Sequence, residues 1–446
     1  MSANALDTHY IGQLEQLQGT LSADLPPWLA QQRRAAAERF AESGFPDPRA
    51  EEWKYTNVRP IANKPFSVAS ECGLLDAATL EEHVFGELEP WRLVFENGFL
   101  RDDLSRLDGL APGVRIDGLN TAIREGATIP EQCLDGLAHD QYSSFATLNT
   151  AFLTDGAVIH LEPGVVLERP IHLVFYGTSS SENVWCHPRV LVVGESGCEA
   201  TIIEHYVDGE GARSFTNTVT EIEAHAGAHL HHYLVQEHAD TAYHVGNVFV
   251  RQRRDSVVTS HNVNLGGRLV RHDLNVDLVE PGAETHLNGL FLVGDRQHVD
   301  THTRVHHAVP HTTSREQYRG IAQGRGRGVF KGRVLIREGA QKTAAEQHSA
   351  NLLLSPNAEI DAKPELEIYA DDVKAAHGAT VGQLDPDALY YLASRGIGPE
   401  IARGMLVYAF AEEVLEPMKL DPVRAVVENR LAQRLPEAVP ATLAQA

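Results

Sequence analysis

The sequence predicts a mainly β chain, a β-solenoid held between a mixed, mostly helical N-terminal region and a short helical C-terminal region. Two observations carry this. After Asp155 the chain becomes a succession of short, β-branched, alternating runs ended by Gly, Asp or Asn, as in AVIHLEPGVVLERPIHLVFYG. Related turn phrases also recur: EPGV at Glu162, ESGCE at Glu195, AHAGAH at Ala224, EPGAE at Glu280 and EGAQ at Glu338, with glycines at 164, 197, 227, 282 and 339. Their spacings are 33, 30, 55 and 57, and the last two are close to twice 28, so the missing turns are expected near Asp255-Ser256 and Pro310-Thr313. Short strands with a period of about 28–30 read as a solenoid, because each coil buries its inward face only by stacking on its neighbours. A β-sandwich with coincidental glycine spacing is the alternative.

The flanking elements follow from capping and periodicity. Residues 1 to about 45 read as helical, LPPWLAQQRRAAAERFAESGF having prolines at its start and Gly44 where a C′ residue belongs. EEWKYTNVRPI reads as extended, WRLVFENG as a strand, and SSFATLNTAFL, Ser143 to Leu153, as a second helix. After Asp385 the helical period returns in three pieces. DALYYLASRG follows an Asp385-Pro386 cap and stops at Gly396 and Gly398; PEIARGMLVYAFAEEVLEPM begins at Pro399; DPVRAVVENRLAQRL begins at Asp421. So much apolar helical surface must pack either on the β region or on a partner subunit. The expected organisation is an N-terminal region over 1–150, a β core over 151–384 and a helical domain over 385–446.

Composition narrows the function classes. The 446 residues carry 38 Lys+Arg against 61 Asp+Glu, a net charge of −23, which repels phosphate backbones and anionic lipid. No apolar run approaches the ~20 residues of a membrane span. The start, MSANALDTHYIGQL, lacks the blocks of a signal peptide. The four cysteines, Cys72, Cys133, Cys186 and Cys198, form no CxxC pair, so a disulfide scaffold or an all-Cys metal site is not expected and a reducing cytoplasm is.

Candidate chemistry is sparse. EIYADDVKAAHGATVGQLD, Glu367 to Asp385, sets His377 among small residues where another chain could approach, and imidazole is a common metal ligand. Of the 23 histidines, two groups cluster: His225, His229, His231, His232, His238 and His244, then His298, His302, His306, His307 and His311. Strand alternation would let His229 and His231 converge, and His302 and His306; the plainer reading is polar ladders of a solenoid. GRGRGVFKGR, Gly324 to Arg333, resembles a phosphate cradle but lacks a closing Gly-Lys-Ser/Thr, and reads better as close-packed turns. Asp371, Asp372, Glu365 and Glu367 are candidates for a carboxylate pair like that of polysaccharide-cleaving β-solenoids.

The run from SREQYRGIAQGRGRGVFKGRVLIREGAQ to AHGATVGQLDPDALYYLASRGIG resembles the SufB/SufD family of iron–sulfur cluster assembly proteins, the likeness spanning roughly residues 151 to 414. EEWKYTNV, Glu51 to Val58, and AHGATVG resemble the SufD branch in particular. The resemblance implies a right-handed parallel β-helix between helical regions, acting as a scaffold and not as an enzyme. It implies a SufB partner at the β-helix edge and a SufC ATPase on the C-terminal helices, with ATP hydrolysis left to SufC. It further implies that His377 ligates iron or a nascent cluster, held transiently at the interface, opposite a SufB cysteine; no cofactor is then held tightly by the isolated chain. Some relatives carry a cysteine where this chain has Ala375, which leaves His377 dependent on partner groups. For SufC docking the candidates are Arg395, Gly396, Ile397, Glu400 and Arg403. Without a partner, the exposed edge makes a homodimer plausible. A SufB-like scaffold and a carbohydrate-active β-helix enzyme are the competing readings.

Overall fold

The structure is a computed structural model and describes residues 10, 12–13, 26–68, 74–85, 88–138, 143–178 and 183–435. Most of the helix expected before residue 26, Cys72 and the last eleven residues of the chain lie outside them.

Two long sheets face each other and are built in alternation by successive runs of chain, which makes a parallel β-solenoid of about 7 turns. One sheet runs from Gly156–Leu161 through Arg189–Gly194, Ser214–Ala224, Tyr243–Gln252, Leu269–Leu278, His298–His307 and Arg327–Ile336 to Glu359–Ile368. The other runs from Trp91–Glu96 through Ile171–Gly177, Glu199–Asp208, His229–Glu237, Val257–Asn264, Glu284–Val293, Thr313–Ala322 and Ala344–Leu353 to Lys374–Gly382. In the second sheet Glu199, His229, Val257, Glu284, Thr313, Ala344 and Lys374 stand in one column. The sequence distance from one member to the next is thus nearly constant, though no two successive steps are equal.

One corner of every coil is left-handed backbone. Gly164, Gly197, Gly227 and Gly282 have φ of 74°, 69°, 68° and 82°, and the two turns inferred from spacing alone are Asp255 (φ 55°) and His311 (φ 60°). The last corner is Lys342 (φ 62°) and not Gly339. Each corner N–H donates to the next coil, as Gly227 to the Arg254 carbonyl at 2.8 Å and His311 to that of Gln341 at 3.0 Å. Glycine suits this conformation at no steric cost, but the corner ladder also holds side-chain-bearing residues there.

The two ends differ. At the start the antiparallel strands Val114–Gly118 and Phe99–Leu100 cover the sheet edges. At the other end Glu359–Ile368 and Lys374–Gly382 each have a neighbour on one side only, among the described residues. Apolar side chains such as Ile159, Ile202, Leu234, Leu287 and Val334 fill the lumen between the sheets.

Helices cover both outer faces. On the first sheet α1 (Pro27–Ser43) and α2 (Ser144–Phe152, capped by Ser143) pack with Trp53, Ile61 and Phe66 against Trp185, Phe215 and Tyr243. EEWKYTNV is not extended: Glu51–Trp53 is a 3-10 turn, and Arg59–Ala62 is helical. The reason is a charged clasp onto the solenoid. Glu52 pairs with Arg304 at 2.7 Å and Lys331 at 3.2 Å, Glu51 with Lys363 at 2.7 Å, and Trp53 lies under the Arg271 guanidinium. Buried Arg271 is itself bidentate on Asp273 (2.8 and 2.9 Å), and reaches Asp300 at 2.5 Å and the Glu52 carbonyl at 3.1 Å.

On the second sheet α3 (Pro386–Ser394) is followed by α4 (Pro399–Leu415) and α5 (Asp421–Arg434). In the last two, buried Val407, Ala411, Val414, Val423, Val427 and Leu431 meet Tyr233, Val263, Leu290, Leu292 and Ile321. Each fully buried aliphatic side chain contributes about 1.5–3 kcal/mol, so these helices use their apolar surface on the solenoid. Arg319–Glu413 and Arg430–Glu237 (3.2 Å) fix the register. The exception is α3, capped by Asp385, which has no buried residue.

Candidate functional site

His377 sits on the last strand, Lys374–Gly382, and is exposed. Its direction follows from alternation. Ala375, two positions before it, packs on the lumen core, so His377 also faces the lumen, while Gly378 faces outward beside His348. The solenoid mouth therefore presents His377. Beneath it in register are Gln347 and then Glu316, each 3% exposed. Sequence reasoning missed both of these, because the step between rungs is not constant and the column emerges only from strand pairing.

Glu316 accepts from the Thr303 hydroxyl at 2.5 Å and makes no ion pair among the described residues. Burial pushes its carboxyl up to about 7, tempered by Thr303 and the neighbouring Gln347 amide. A Cβ on Gly332 would fall inside the Gln347 amide, so the glycine makes room for that side chain. GRGRGVFKGR is thus a structural segment: Gly324 takes a corner (φ 59°), Arg327 pairs with Glu359 at 3.1 Å and Arg333 with Glu367 at 2.8 Å.

The last two strands and the helices after them expose apolar side chains. Ile368, Tyr369, Val381, Tyr390, Tyr391 and Ile401 are all large, hydrophobic and exposed, Tyr390 at 78%. The candidate carboxylates are separated or neutralised: Lys363 holds Glu365 at 2.9 Å, Lys342 holds Asp372, and the Arg333 hydrogen bond lowers the Glu367 carboxyl.

Of the docking candidates, Arg395 is exposed, its guanidinium stacked on Tyr391 with a 3.2 Å hydrogen bond to that phenol. Gly396 (φ 81°) makes the turn that Ile397 continues, and Glu400 is exposed. Arg403 points the other way, half-buried, towards the Leu354 carbonyl at 3.5 Å. The structure thus brings together the first four and sets Arg403 apart.

The histidine clusters are largely structural. His232 bonds Glu204 at 2.8 Å, His238 lies 2.9 Å from Asp208 and bonds His244 at 3.1 Å, and His307 bonds Thr312 at 2.7 Å. His229 and His231 do share an outer groove with His286, whereas His302 and His306 go to separate partners, Asp300 and Asp277, each at 3.0 Å. Among the described residues no three His, Cys, Asp or Glu side chains group so as to hold a metal ion, and no helix is long and apolar enough to cross a membrane.

Fold and mouth together define a parallel β-solenoid covered at one end and open at the other. The chain belongs to the SufBD family of iron–sulfur cluster assembly proteins. Its residues 175–410 match the family model for the SUF system FeS cluster assembly SufBD core domain, and residues 4–173 that for the SufBD protein N-terminal region. It is 33% identical over 418 residues to an iron–sulfur cluster assembly SufBD family protein of Synechocystis (91% of this chain, 90% of the relative). It is 31% identical over 405 residues to the iron–sulfur cluster assembly protein SufD of Escherichia coli (90% and 91%), and 27% over 443 residues to that of Bacillus subtilis (91% and 94%).

Proposed function

We propose that this chain is a SufD-type scaffold subunit, non-catalytic and cytoplasmic, of a complex that assembles iron–sulfur clusters. It pairs through its open last coil with a SufB-type chain and carries a SufC-type ATPase on α3 and the turn after it, around Arg395, Gly396, Ile397 and Glu400, with Arg403 behind them. The observation that carries the reading is the strand Lys374–Gly382, open along one edge among the described residues, bearing His377 at the mouth and rimmed by exposed Ile368, Tyr369 and Val381. An open strand edge with apolar flanks is a template for another strand. Iron or a nascent cluster needs several borderline or soft ligands; His377 supplies one, and the partner supplies thiolate and carboxylate. Nucleotide-driven SufC dimerisation would bias the complex between states that differ in access to this interface.

Co-expression with SufB and SufC tests this. The three chains co-purify, and His377→Ala leaves the complex intact while iron per complex falls several-fold. Unchanged iron removes the ligand role; failure to co-purify removes the scaffold role. A Tyr390→Ser/Tyr391→Ser double variant keeps SufB and loses most of the SufC, read as band ratios after affinity purification. Expressed alone, the wild-type chain self-pairs, seen as a dimer by light scattering.

A further inference from the structure

Each strand of the second sheet stacks its side chains on those of the coil below, and one lumen-facing column reads Ile202, His232, Ser260, Leu287, Glu316, Gln347 and His377. Its upper three members are polar, successive and end at the mouth. The Gln347 amide nitrogen lies against the Glu316 carboxyl, and the atom left with no donor among the described residues is Gln347 Oε1. A buried polar group left without a partner is costly, and at the mouth of the lumen a ligand can satisfy it. The wall opposite agrees, since Gly332 leaves space for the amide where any side chain would fill it.

The spacing suits a metal ion. Rungs of a sheet lie ~4.8 Å apart, and two bonds of roughly 2.1 Å from nitrogen or oxygen to a first-row divalent ion span ~4.2 Å. Side chains stacked on successive rungs are thus spaced about as two ligands of one ion are. We infer that Gln347 and Glu316 continue the His377 position into the lumen as an oxygen-lined shaft, which takes a divalent cation of the ferrous class between imidazole and amide. Glu316, the one carboxylate of the column, lies one rung deeper and balances the charge. The column holds no thiol, so it suits the bare ion and not a cluster. This rests on the reading of His377 as a ligand.

The test uses Co2+, which matches ferrous iron in charge and ligand preference and reports its coordination by visible absorption. The isolated full-length chain is titrated as wild type and as the Glu316→Gln, Gln347→Leu and His377→Ala variants, with thermal melts as folding controls. Wild type takes up one Co2+ with an imidazole-type spectrum, and each lumen variant binds at least tenfold more weakly while folding normally. Glu316→Gln is isosteric, so it remains informative if Gln347→Leu folds poorly. Wild-type affinity in both lumen variants, with loss in His377→Ala, overturns the shaft and leaves the His377 reading standing. Loss in the lumen variants with His377→Ala unchanged removes His377 and keeps the lumen oxygens as the site. No uptake by the wild type overturns the proposal outright.

Discussion

Arg271→Ala is expected to destabilise the protein by about 3–5 kcal/mol, the range for breaking a buried ion pair by removing one partner. The guanidinium is 1% exposed and lies between Asp273 and Asp300, which are also buried. Burial alone would push both carboxyl groups up; Arg271 outweighs it and holds them below the usual carboxylate range. Without the arginine two carboxylates face each other in a dry site, and Trp53 and the Glu52 carbonyl lose their partner. The loss is read from urea unfolding followed by Trp fluorescence. Limited proteolysis adds a local readout, with cleavage near residues 51–58 appearing before cleavage in the solenoid. A shift well below that range, or no change in proteolysis, would show that the clasp does not hold the N-terminal region.

Acidification from pH 7 to 5 is expected to lower stability steeply, through buried histidines. Burial pushes His187, His261 and His272 down to about 3 and His307 down to about 4. The sign is fixed by which state binds protons. Below a pH of about 6.5 the unfolded chain protonates these imidazoles and the folded chain does not, so stability falls as pH falls. Each such group contributes a slope of up to about 1.4 kcal/mol per pH unit in the window from about 6.5 down to its folded value. Four acting together outweigh any single surface ion pair. His272→Asn lacks the titrating group and flattens the slope by about one proton, measured as the pH dependence of the urea midpoint. A midpoint flat between pH 7 and 5 would contradict the burial of these rings.

Much of the fold was legible because a solenoid repeats its turns. Glycine spacing located four corners, and doubling the period placed two more at Asp255 and His311, where no glycine marks them. The period misplaced the last corner, at Lys342 instead of Gly339, because the corner ladder and not the residue type imposes the backbone conformation. EEWKYTNVRPI reads as extended by its own residues, but its conformation is set by partners far along the chain, such as Arg271, Arg304 and Lys331. For the site, the open surroundings of His377 singled it out, but its direction needed register. The step from Glu316 to Gln347 differs from the step from Gln347 to His377, so the column emerges only once the strands are paired. The C-terminal helices were ambiguous between solenoid and partner because apolar residues surround them; packing decides the question for α4 and α5, and leaves α3 uncovered.

The unequal ends of the solenoid set a limit on growth. Strand-edge pairing is the physics of open-ended fibres whenever both edges of a sheet are available. Here the first coil is flanked by the short antiparallel strands Val114–Gly118 and Phe99–Leu100, whereas the last presents two full-length parallel strands, each open along one edge among the described residues. A molecule with one end of this long parallel kind joins one neighbour through it, because a short antiparallel edge does not continue the coil. Two such solenoids meeting mouth to mouth make a closed pair with both lumens sealed against solvent, and the stoichiometry stops at two by geometry, with no need for a charge or a side chain to forbid the third.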